Sequence, residues 1–425
     1  PGLVFLGRIE EDNPTSHPGR LRSTNPCVTG DTWVLTDQGP RQVGRVAGLP
    51  LNVAVDGRVW RTEEEGFFPT GVRPVLRLVT REGYSLRLTG DHPVCRVVRC
   101  SRSSLKTRWT PAGDLKRGDR VLVNDHRSFP GWAGEYGEGE GYLLGLLVGD
   151  GTLKKDKAVL SVWSKEEDPQ AQEGIRQIMQ RARACAVRLG ARRDFRGWMA
   201  VEGRGEYRLS TAALRRVAED LGMGPGRKGI TPELESRTSS SFVQGFLRGL
   251  FDADGSVQGT LAKGISLRLS QSDLPLLEGV QRLLLRLGIG SRIYRNRRSG
   301  GSKGLPDGRG GVREYITKPQ HELVVVRENL DLFWLRVGFG DSRKASALRR
   351  RLEGRRRLPY RERFLATVEE LVPEGDAEVF DVRVPGCHAF DANGFLVHNC
   401  GEQPLLPYES CNLGSINLVR MADEA

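Results

Sequence analysis

Three side chains capable of covalent chemistry stand in a row at His398, Asn399 and Cys400, where an apolar run gives way to a polar segment. The side-chain amide of an asparagine can attack its own backbone carbonyl, form a succinimide and break the bond to the next residue. This reaction needs a general acid beside the leaving group, and His398 is adjacent. Cys400 then begins the next segment with a nucleophile. The triplet predicts cleavage of the chain after Asn399.

A second group of reactive residues stands nearer the other end of the chain. Cys27 is a nucleophile, and LTGDHPV (88–94) places Thr89 and His92 in a T-x-x-H turn that can polarise a nearby peptide bond. Asp381 and His388 lie in VFDVRVPGCHAF (379–390). Singly, such residues are typical of structural positions, because a lone cysteine packs as a small apolar side chain. Their combination favours acyl transfer.

A repeated segment supplies two carboxylates. YLLGLLVGDG (142–151) and FLRGLFDADG (246–255) align without gaps and end in Asp150 and Asp254. Each acid falls at the C-terminus of a predicted helix, the negative end of the helix dipole. Carboxylate oxygens suit Mg²⁺, which would relieve the repulsion between the pair. One such segment alone is typical of a turn, but two matched copies predict a magnesium site for phosphodiester hydrolysis.

Small residues within the repeats indicate how the two helices meet. Each helix carries small residues one turn apart, which allow close approach of two helix backbones. These residues are Gly145 and Gly149 in one copy and Gly249 and Ala253 in the other. We therefore expect the copies to pack about a pseudo-twofold axis, with Gly151 and Gly255 as C-terminal caps.

The composition changes twice along the chain. Residues 27 to about 123 read as short strands separated by Gly, Pro and Asp, and strands return after about 375. Between them lies a helical, Arg-dense stretch with a basic, Gly-rich loop at 292–311 and a basic run at 343–357. We predict a β-rich unit split by an insertion. The predicted parts are 1–26, 27–130, 131–355, 356–399 and 400–425.

The overall composition indicates which kinds of ligand and environment suit the chain. The 425 residues carry a net charge of +12 with a pI near 9.6. Arg is abundant, and its guanidinium suits phosphate contacts, but charge alone leaves phosphate binding and a merely soluble basic surface equally open. No apolar run is long enough to span a membrane, and no signal-peptide pattern is present. The odd number of cysteines, without CxxC pairs, favours neither disulfides nor structural zinc. We predict a cytoplasmic monomer without membrane contact.

The paired repeats resemble the two motifs of a LAGLIDADG homing endonuclease over residues 143–151 and 247–255. The resemblance implies an α+β pseudo-dimer of two αββαββα half-domains that cleaves double-stranded DNA with Mg²⁺, held by Asp150 and Asp254. Val148 replaces an acid common in the motif, whereas Asp252 keeps it. GRKGITP (226–232) is similar to a further block in which a lysine, here Lys228, assists catalysis; a surface lysine is the alternative.

The reactive residues at both ends of the β-rich unit resemble an intein spanning residues 27–399. Cys27 matches the first residue, the T-x-x-H turn the N-terminal splicing block, and 379–390 with 395–399 the C-terminal blocks. The resemblance implies an all-β Hedgehog/intein (HINT) splicing domain split by the endonuclease. It also implies four cofactor-free acyl transfers. Their residues are Cys27, Thr89, His92, Cys400, Asp381, Asn399, His398 and His388.

Joining the flanks across the insertion gives RSTNP followed by CGEQPLLPYESCNLGSINL, which resembles the catalytic subunit of ribonucleotide reductase. The N-x-C-x-E motif implies Asn25, Cys400 and Glu402 as active-site residues of that host after splicing, with Cys411 as half of a reducible pair. The partners implied are the flanking host segments and double-stranded DNA of the intein-free reductase gene.

Two other interpretations stay open. The chain is either an autoprocessing intein whose endonuclease domain is inactive, or a plain DNA nuclease whose β domains grip the substrate. The second does not explain why removing the insertion restores a continuous host motif.

Overall fold

The computed structural model describes residues 27–399, apart from the internal segments 102–103, 165–168, 191–193, 307–311 and 356–358. Both flanks lie outside the described residues. This applies to four predicted site residues: Asn25, Cys400, Glu402 and Cys411. No helix of the described part is long and apolar enough to cross a membrane.

The chain is mainly β-strand on both sides of the helical insertion. Before it lie β1 (Val28–Thr29), β2 (Trp33–Thr36), β3 (Gly39–Gln42), β4 (Asn52–Val55), β5 (Arg58–Arg61), β6 (Phe67–Thr80), β7 (Ser85–Thr89), β8 (Pro93–Cys100), β9 (Leu105–Pro111) and β10 (Arg120–Leu122). After it lie the last strands of the chain, β21 (Leu365–Val382), β22 (Ala389–Ala392) and β23 (Phe395–His398). A one-turn helix, α1 (Val43–Val46), and a 3-10 turn (Ala112–Asp114) complete this unit.

A nine-stranded sheet contains strands from before and after the insertion. Its order is β1-β7-β6-β21-β10-β8-β23-β22, with β9 paired to β8, and a four-stranded sheet β3-β2-β4-β5 accompanies it. The long β6 and β21 pair antiparallel from Thr80 opposite Val368 to Phe67 opposite Val382. Alternating buried residues such as Leu86 and Leu88 in β7 face the core. The sheet therefore contains segments from both sides of the insertion.

The described residues of the insertion form eight helices and ten strands. The helices are α2 (Glu138–Asp150), α3 (Pro169–Arg188), α4 (Ala212–Asp220), α5 (Pro232–Arg237), α6 (Ser240–Asp254), α7 (Leu274–Arg286), α8 (Asn329–Arg336) and α9 (Ser342–Glu353). The strands are β11 (Thr152–Leu153), β12 (Ala158–Trp163), β13 (Trp198–Val201), β14 (Glu206–Thr211), β15 (Gly255–Thr260), β16 (Gly264–Gln271), β17 (Arg292–Arg298), β18 (Gly301–Pro306), β19 (Val312–Thr317) and β20 (Gln320–Val326).

These elements form two halves of the same design. The first half runs α2-β11-β12-α3-β13-β14-α4 with the sheet β11-β12-β14-β13. The second runs α6-β15-β16-α7-β17-β20-α8 with the sheet β15-β16-β20-β17. Both follow the expected αββαββα order. The second half adds the hairpin β18–β19 between its last two strands.

The prediction of a basic loop at 292–311 is wrong for its described residues. Residues 292–298 form β17, which pairs with β20, and residues 301–306 form β18. Only Ile293 of β17 is buried, and the arginines stay in solvent. With one buried residue, β17 lacks the alternation of apolar and polar residues by which strands are predicted from sequence. It is a strand because it pairs with β20 at the edge of a sheet, and the sequence of β17 alone does not reveal that pairing.

The central helices α2 and α6 begin at polar caps and pack backbone to backbone. The Glu140 carboxylate accepts a hydrogen bond from Gly137 N at 3.0 Å, and Ser239 Oγ accepts one from Phe242 N at 3.1 Å. A methyl group on Gly145 would lie 2.1 Å from Phe246 O, and one on Gly249 would lie 2.2 Å from Tyr142 O. Only glycine permits this approach, which brings the two helix C-termini together.

Gly151 and Gly255 cap α2 and α6 as predicted, but in extended rather than left-handed conformation, with φ of −97° and −75°. Glycine is required there for space. A methyl group on Gly151 would lie 2.7 Å from the Leu147 Cα, and one on Gly255 2.5 Å from Phe251 O.

The insertion docks on the β unit through charged and aromatic contacts. The Glu82 carboxylate, in the turn after β6, accepts hydrogen bonds from Thr367 N at 2.6 Å and from the Arg292 guanidinium at 2.5 Å. The Glu82 carbonyl accepts from Gln281 at 2.8 Å. The Arg286 guanidinium lies 5.1 Å from the centroid of the Trp33 ring. The two units therefore share buried polar contacts.

Candidate active sites

The N-terminal reactive residue, Cys27, is fully buried and is fixed by Thr89. Cys27 N donates to Thr89 Oγ1 at 3.1 Å, and Thr89 N donates to Cys27 O at 3.0 Å. The first bond holds the nitrogen of the peptide bond that precedes Cys27. Thr89 can therefore restrict rotation of that amide and hold its nitrogen in place.

His92 lies in the turn that Thr89 begins, with His92 N donating to Thr89 O at 3.2 Å. Its side chain is fully buried, and burial lowers the pKa of the imidazole to about 3. The nearby backbone of Cys27 and of His398 partly opposes that shift, whereas the charge of His398 adds to it. Neither ring nitrogen makes a hydrogen bond to another described residue. The imidazole is therefore neutral at physiological pH and lies between the two reactive ends.

The Cys27 thiol lies against the hydroxyl of Thr70, with Sγ and Oγ1 2.8 Å apart. Burial raises the pKa of this thiol to about 12; the Thr70 hydrogen bond opposes the shift and the carboxylate of Asp381 adds to it. Asp381 itself is fully buried, and its Oδ1 accepts from Val382 N at 2.7 Å. The predicted acid thus lies near the predicted nucleophile.

The C-terminal reactive residues occupy the end of β23. His398 Nδ1 lies 2.5 Å from the Asn399 carbonyl oxygen, the oxygen of the bond predicted to break. Asn399 is buried, and its N donates to His388 O at 3.2 Å. The indole of Trp109 meets the imidazole of His398 edge-on, at 5.0 Å between centroids and 84° between planes.

His388 is placed differently from the expectation that its side chain assists Asn399. Its backbone adopts a φ of +53°, its backbone carbonyl binds Asn399 and its side chain is exposed. A left-handed residue reverses the chain direction, so the backbone of His388, rather than its ring, faces the asparagine.

Sheet pairing brings the two ends of the β unit together. β1 pairs with β7 and β21, which places Cys27 beside Thr89. Val397 of β23 pairs with Val94 of β8, two residues after His92. Residues at the two extremes of 27–399 therefore converge on one imidazole.

The predicted metal ligands Asp150 and Asp254 also converge, at the touching ends of α2 and α6. Burial raises the pKa of both carboxyls, that of Asp254 to about 6 with a further contribution from the charge of Asp150. Gln271 donates to Asp254 Oδ2 at 2.5 Å. Within the described ranges no cluster of three or more His, Cys, Asp or Glu residues forms a metal site. Two mutually repelling carboxylates nevertheless suit a divalent cation, with carbonyl, water or phosphate oxygens as further ligands.

Two lysines bind the C-terminal carbonyls of these helices. Lys228 Nζ donates to three carbonyls of the α2 end, those of Leu147 and Gly149 at 3.1 Å and of Gly151 at 2.7 Å. Lys344 Nζ donates to the carbonyls of Phe251 at 3.1 Å and Asp252 at 2.5 Å in α6.

Burial lowers the pKa of both ammonium groups, and nearby carboxylates oppose this. Sequence reasoning identified Lys228 and missed Lys344, which lies within the basic run 343–357.

Asp252, which keeps the motif acid, is buried in a structural role. Its carboxylate accepts from Tyr142 OH at 2.9 Å and from the backbone N of Gly340 and Asp341 at 2.9 to 3.1 Å. Burial raises its pKa to about 6. It therefore ties α6 to the segment before α9, and the replacement of its counterpart by Val148 leaves the two predicted metal ligands, Asp150 and Asp254, in place.

Known proteins agree with this architecture. Residues 241–338 match the family model described as LAGLIDADG-like domain. Over 460 aligned positions the chain is 26% identical to the ribonucleoside-diphosphate reductase NrdEB subunit alpha of Bacillus subtilis (strain 168), covering 99% of this chain and 41% of that protein. These similarities support an intein that carries a LAGLIDADG domain. The predicted fold class, an all-β HINT domain split by a two-repeat α+β domain, is confirmed.

The chain spans about two fifths of the length of that relative. Among solved structures it is similar to the G-1F mutant of the Ssp DnaB mini-intein variant M86, at 9% identity and a TM-score of 0.26, covering 88% of this chain and 99% of that one. It is also similar to the homing endonuclease I-DmoI in complex with DNA and Ca, at 21% identity and a TM-score of 0.31, covering 50% and 97%.

Proposed function

We propose that the intein excises residues 27–399 and joins Pro26 to Cys400 of a ribonucleotide reductase, and that its inserted domain cleaves double-stranded DNA. The observation that carries the splicing proposal is the convergence of Cys27 and His398 on the buried imidazole of His92. A domain that only gripped DNA would need no such meeting of its two termini.

The first step is an N-to-S acyl shift at Cys27. Sγ bonds to the carbonyl carbon of Pro26, the C–N bond breaks, and the proton of the thiol ends on the released amine. Thr89 holds that nitrogen through its 3.1 Å hydrogen bond. The neutral His92 would relay the proton: one ring nitrogen gives its proton to the amide nitrogen as the other accepts the thiol proton, so that the ring stays neutral.

The next steps transfer and release the chain. Cys400 Sγ attacks the thioester carbon, the bond from that carbon to Cys27 Sγ breaks, and the proton of the Cys400 thiol passes to Cys27. The side-chain nitrogen of Asn399 then bonds to its own carbonyl carbon, and the bond to Cys400 N breaks with protonation of that amine. His398 Nδ1, at 2.5 Å, donates to the carbonyl oxygen on which negative charge develops. An S-to-N shift finally forms the Pro26–Cys400 amide.

The inserted domain is proposed to act at the intein-free reductase gene. Asp150 and Asp254 would hold Mg²⁺, which activates water and stabilises the leaving oxygen when bound. Lys228 and Lys344 hold the helix ends that present the two acids. The basic strands of the second half, with Arg268 and Arg297 along one large surface cavity of about 1140 Å³, would contact phosphates.

The host is proposed to become active only after excision. Asn25, Cys400 and Glu402 would then form one active site, with Cys411 supplying electrons. We further propose that the intein acts in the cytoplasm as a monomer and that no cofactor takes part in splicing.

Mass spectrometry of the incubated full chain tests the splicing proposal. We expect one product of residues 27–399 ending in a succinimide and one product joining 1–26 to 400–425. Cys27→Ala should block release of the N-terminal flank, and Asn399→Ala should block release of the C-terminal flank. Normal yield of joined flanks from either variant contradicts the assignment. Plasmid cleavage with Mg²⁺ separates an active from an inactive endonuclease domain.

A further inference from the structure

A β-bulge in β6 lies beside the N-terminal nucleophile. Gly71 pairs with Val379 and Pro69 pairs with Phe380, so Thr70 between them is the extra residue of the bulge. Bulges near reactive groups re-aim a side chain that regular pairing would direct elsewhere. Here the re-aimed side chain is a hydroxyl, and its Oγ1 lies 2.8 Å from Cys27 Sγ.

The Thr70 hydroxyl has two hydrogen-bond partners. Thr70 Oγ1 donates its proton to Val379 O at 3.2 Å. Either atom can be the donor in its contact with Cys27 Sγ, so the hydroxyl can turn its own proton to the sulfur when the thiol loses its proton. Val75 and Val379 also pack against Cys27. The hydroxyl thus restricts the rotamer of the thiol and can donate to the thiolate.

We propose that Thr70 is a positioning residue for the first acyl shift. This inference rests on the proposed function, and it adds to Thr89 and His92 a residue that acts on the thiol instead of on the amide. Thr70 does not take the proton. It orders the Cys27 side chain and stabilises developing negative charge on sulfur relative to a purely apolar setting.

The electrostatics agree with this role. The Thr70 hydrogen bond lowers the pKa of Cys27, against burial and against the carboxylate of Asp381, which both raise it. Removing the hydroxyl while keeping the shape of the side chain should therefore make the thiol harder to ionise. The pH dependence of the first step should move to higher pH.

The test uses the full chain with Cys400→Ala and Asn399→Ala, in which thioester formation is read as thiol-induced release of residues 1–26. In this background Thr70→Val removes the hydroxyl with little change of shape, and Thr70→Ser keeps it. Thr80→Val is the matched control, because Thr80 lies on the same strand and its hydroxyl binds only the Tyr84 carbonyl, at 3.0 Å, among the described residues.

We expect Thr70→Val to slow release about tenfold and to shift its pH profile upward, as the loss of one hydrogen bond to a developing charge predicts. Thr70→Ser and Thr80→Val should stay within about twofold of the parent. Equal rates for Thr70→Val and the parent, or a Thr70→Ser as slow as Thr70→Val, overturn the proposal. A parent that never releases the flank contradicts the splicing function itself and this proposal with it.

Discussion

The indole of Trp109 and the imidazole of His398 pack edge to face, with ring centroids 5.0 Å apart. The contact comes from β9, which like β23 pairs with β8, and it restricts the ring whose Nδ1 lies 2.5 Å from the Asn399 carbonyl oxygen. Orientation of His398 is therefore a property of the folded sheet.

Replacing Trp109 should slow C-terminal cleavage. Edge-to-face aromatic pairs contribute about 1 kcal/mol, which corresponds to about a fivefold rate effect if the ordering of His398 is lost. We expect Trp109→Ala to slow release of the C-terminal flank in a Cys27→Ala background, and Trp109→Phe to recover most of the rate. Equal slowing of thiol-induced N-terminal release by Trp109→Ala would indicate general damage to the fold instead.

The glycine contacts predict a selective loss of the helix pair. Gly145→Ala places a methyl group 2.1 Å from Phe246 O, so α2 and α6 must separate and the domain should lose several kcal/mol of stability. Gly139→Ala is the control on the same helix, because its methyl group meets only Cys185 Sγ at 3.4 Å within the described structure. Thermal unfolding and DNA cleavage should suffer in the first variant alone; comparable melting curves for both would contradict the packing argument.

Neutralising either acid should separate DNA cleavage from DNA binding. Asp150→Asn and Asp254→Asn remove a metal-binding charge and leave the basic strands unchanged, so cleavage should fall at least about a hundredfold while affinity stays near that of the parent. Binding of all three proteins should weaken steeply with salt. Cleavage at the parent rate by either variant, with Mg²⁺ present, would contradict the assignment of Asp150 and Asp254 as metal ligands.

Binding of divalent ions should weaken in mild acid. The pKa of Asp254 is raised to about 6 by burial and by Asp150, so this carboxylate is charged only above that pH. Below about pH 6 a metal ion must displace a proton, and its apparent affinity should fall about tenfold per pH unit. Calorimetric titration with Mn²⁺ between pH 5 and 7.5 measures this, and a flat affinity across that range is the contrary result.

His92 should make the splicing domain acid-sensitive. Its pKa is about 3 in the folded chain and about 6.5 when unfolded, so the unfolded state binds more protons between these values. Above about pH 6.5 the imidazole is neutral in both states and does not reduce the free energy of unfolding. As the pH falls toward 3, protonation of the unfolded chain lowers that free energy. The melting temperature of His92→Gln should decline less over this window than that of the parent; parallel declines would assign the effect to other groups.

Residue types and spacing predicted much of the two reactive centres, because each carries its signal locally. The T-x-x-H turn, the terminal His-Asn pair and the repeated Gly-Asp-Gly ends are short segments whose chemistry is visible without the fold. The glycines of α2 and α6 predicted the close helix pair for the same reason. The domain limits and the catalytic roles stay predictions.

Residues that act through tertiary contacts were missed. Thr70 is distinguished by a bulge, Trp109 by its partner on another strand, and Lys344 by the carbonyls it reaches; none of these shows in the neighbouring sequence. Lys344 also stands among many cations, so its burial could not be inferred. His388 was assigned a side-chain role that its left-handed backbone does not support.

The contacts of Glu82 affect which mutations of this protein should be tolerated in evolution. Its carboxylate is shared between Thr367 of the β unit and Arg292 of the insertion, and its carbonyl binds Gln281. Deleting the whole insertion would remove Arg292 and leave the buried carboxylate of Glu82 without this cationic partner. If the proposed function is correct, a single substitution at Asp150 would stop DNA cleavage and leave these contacts of Glu82 intact. Lineages that no longer benefit from DNA cleavage should therefore retain a silent inserted domain long before they lose it.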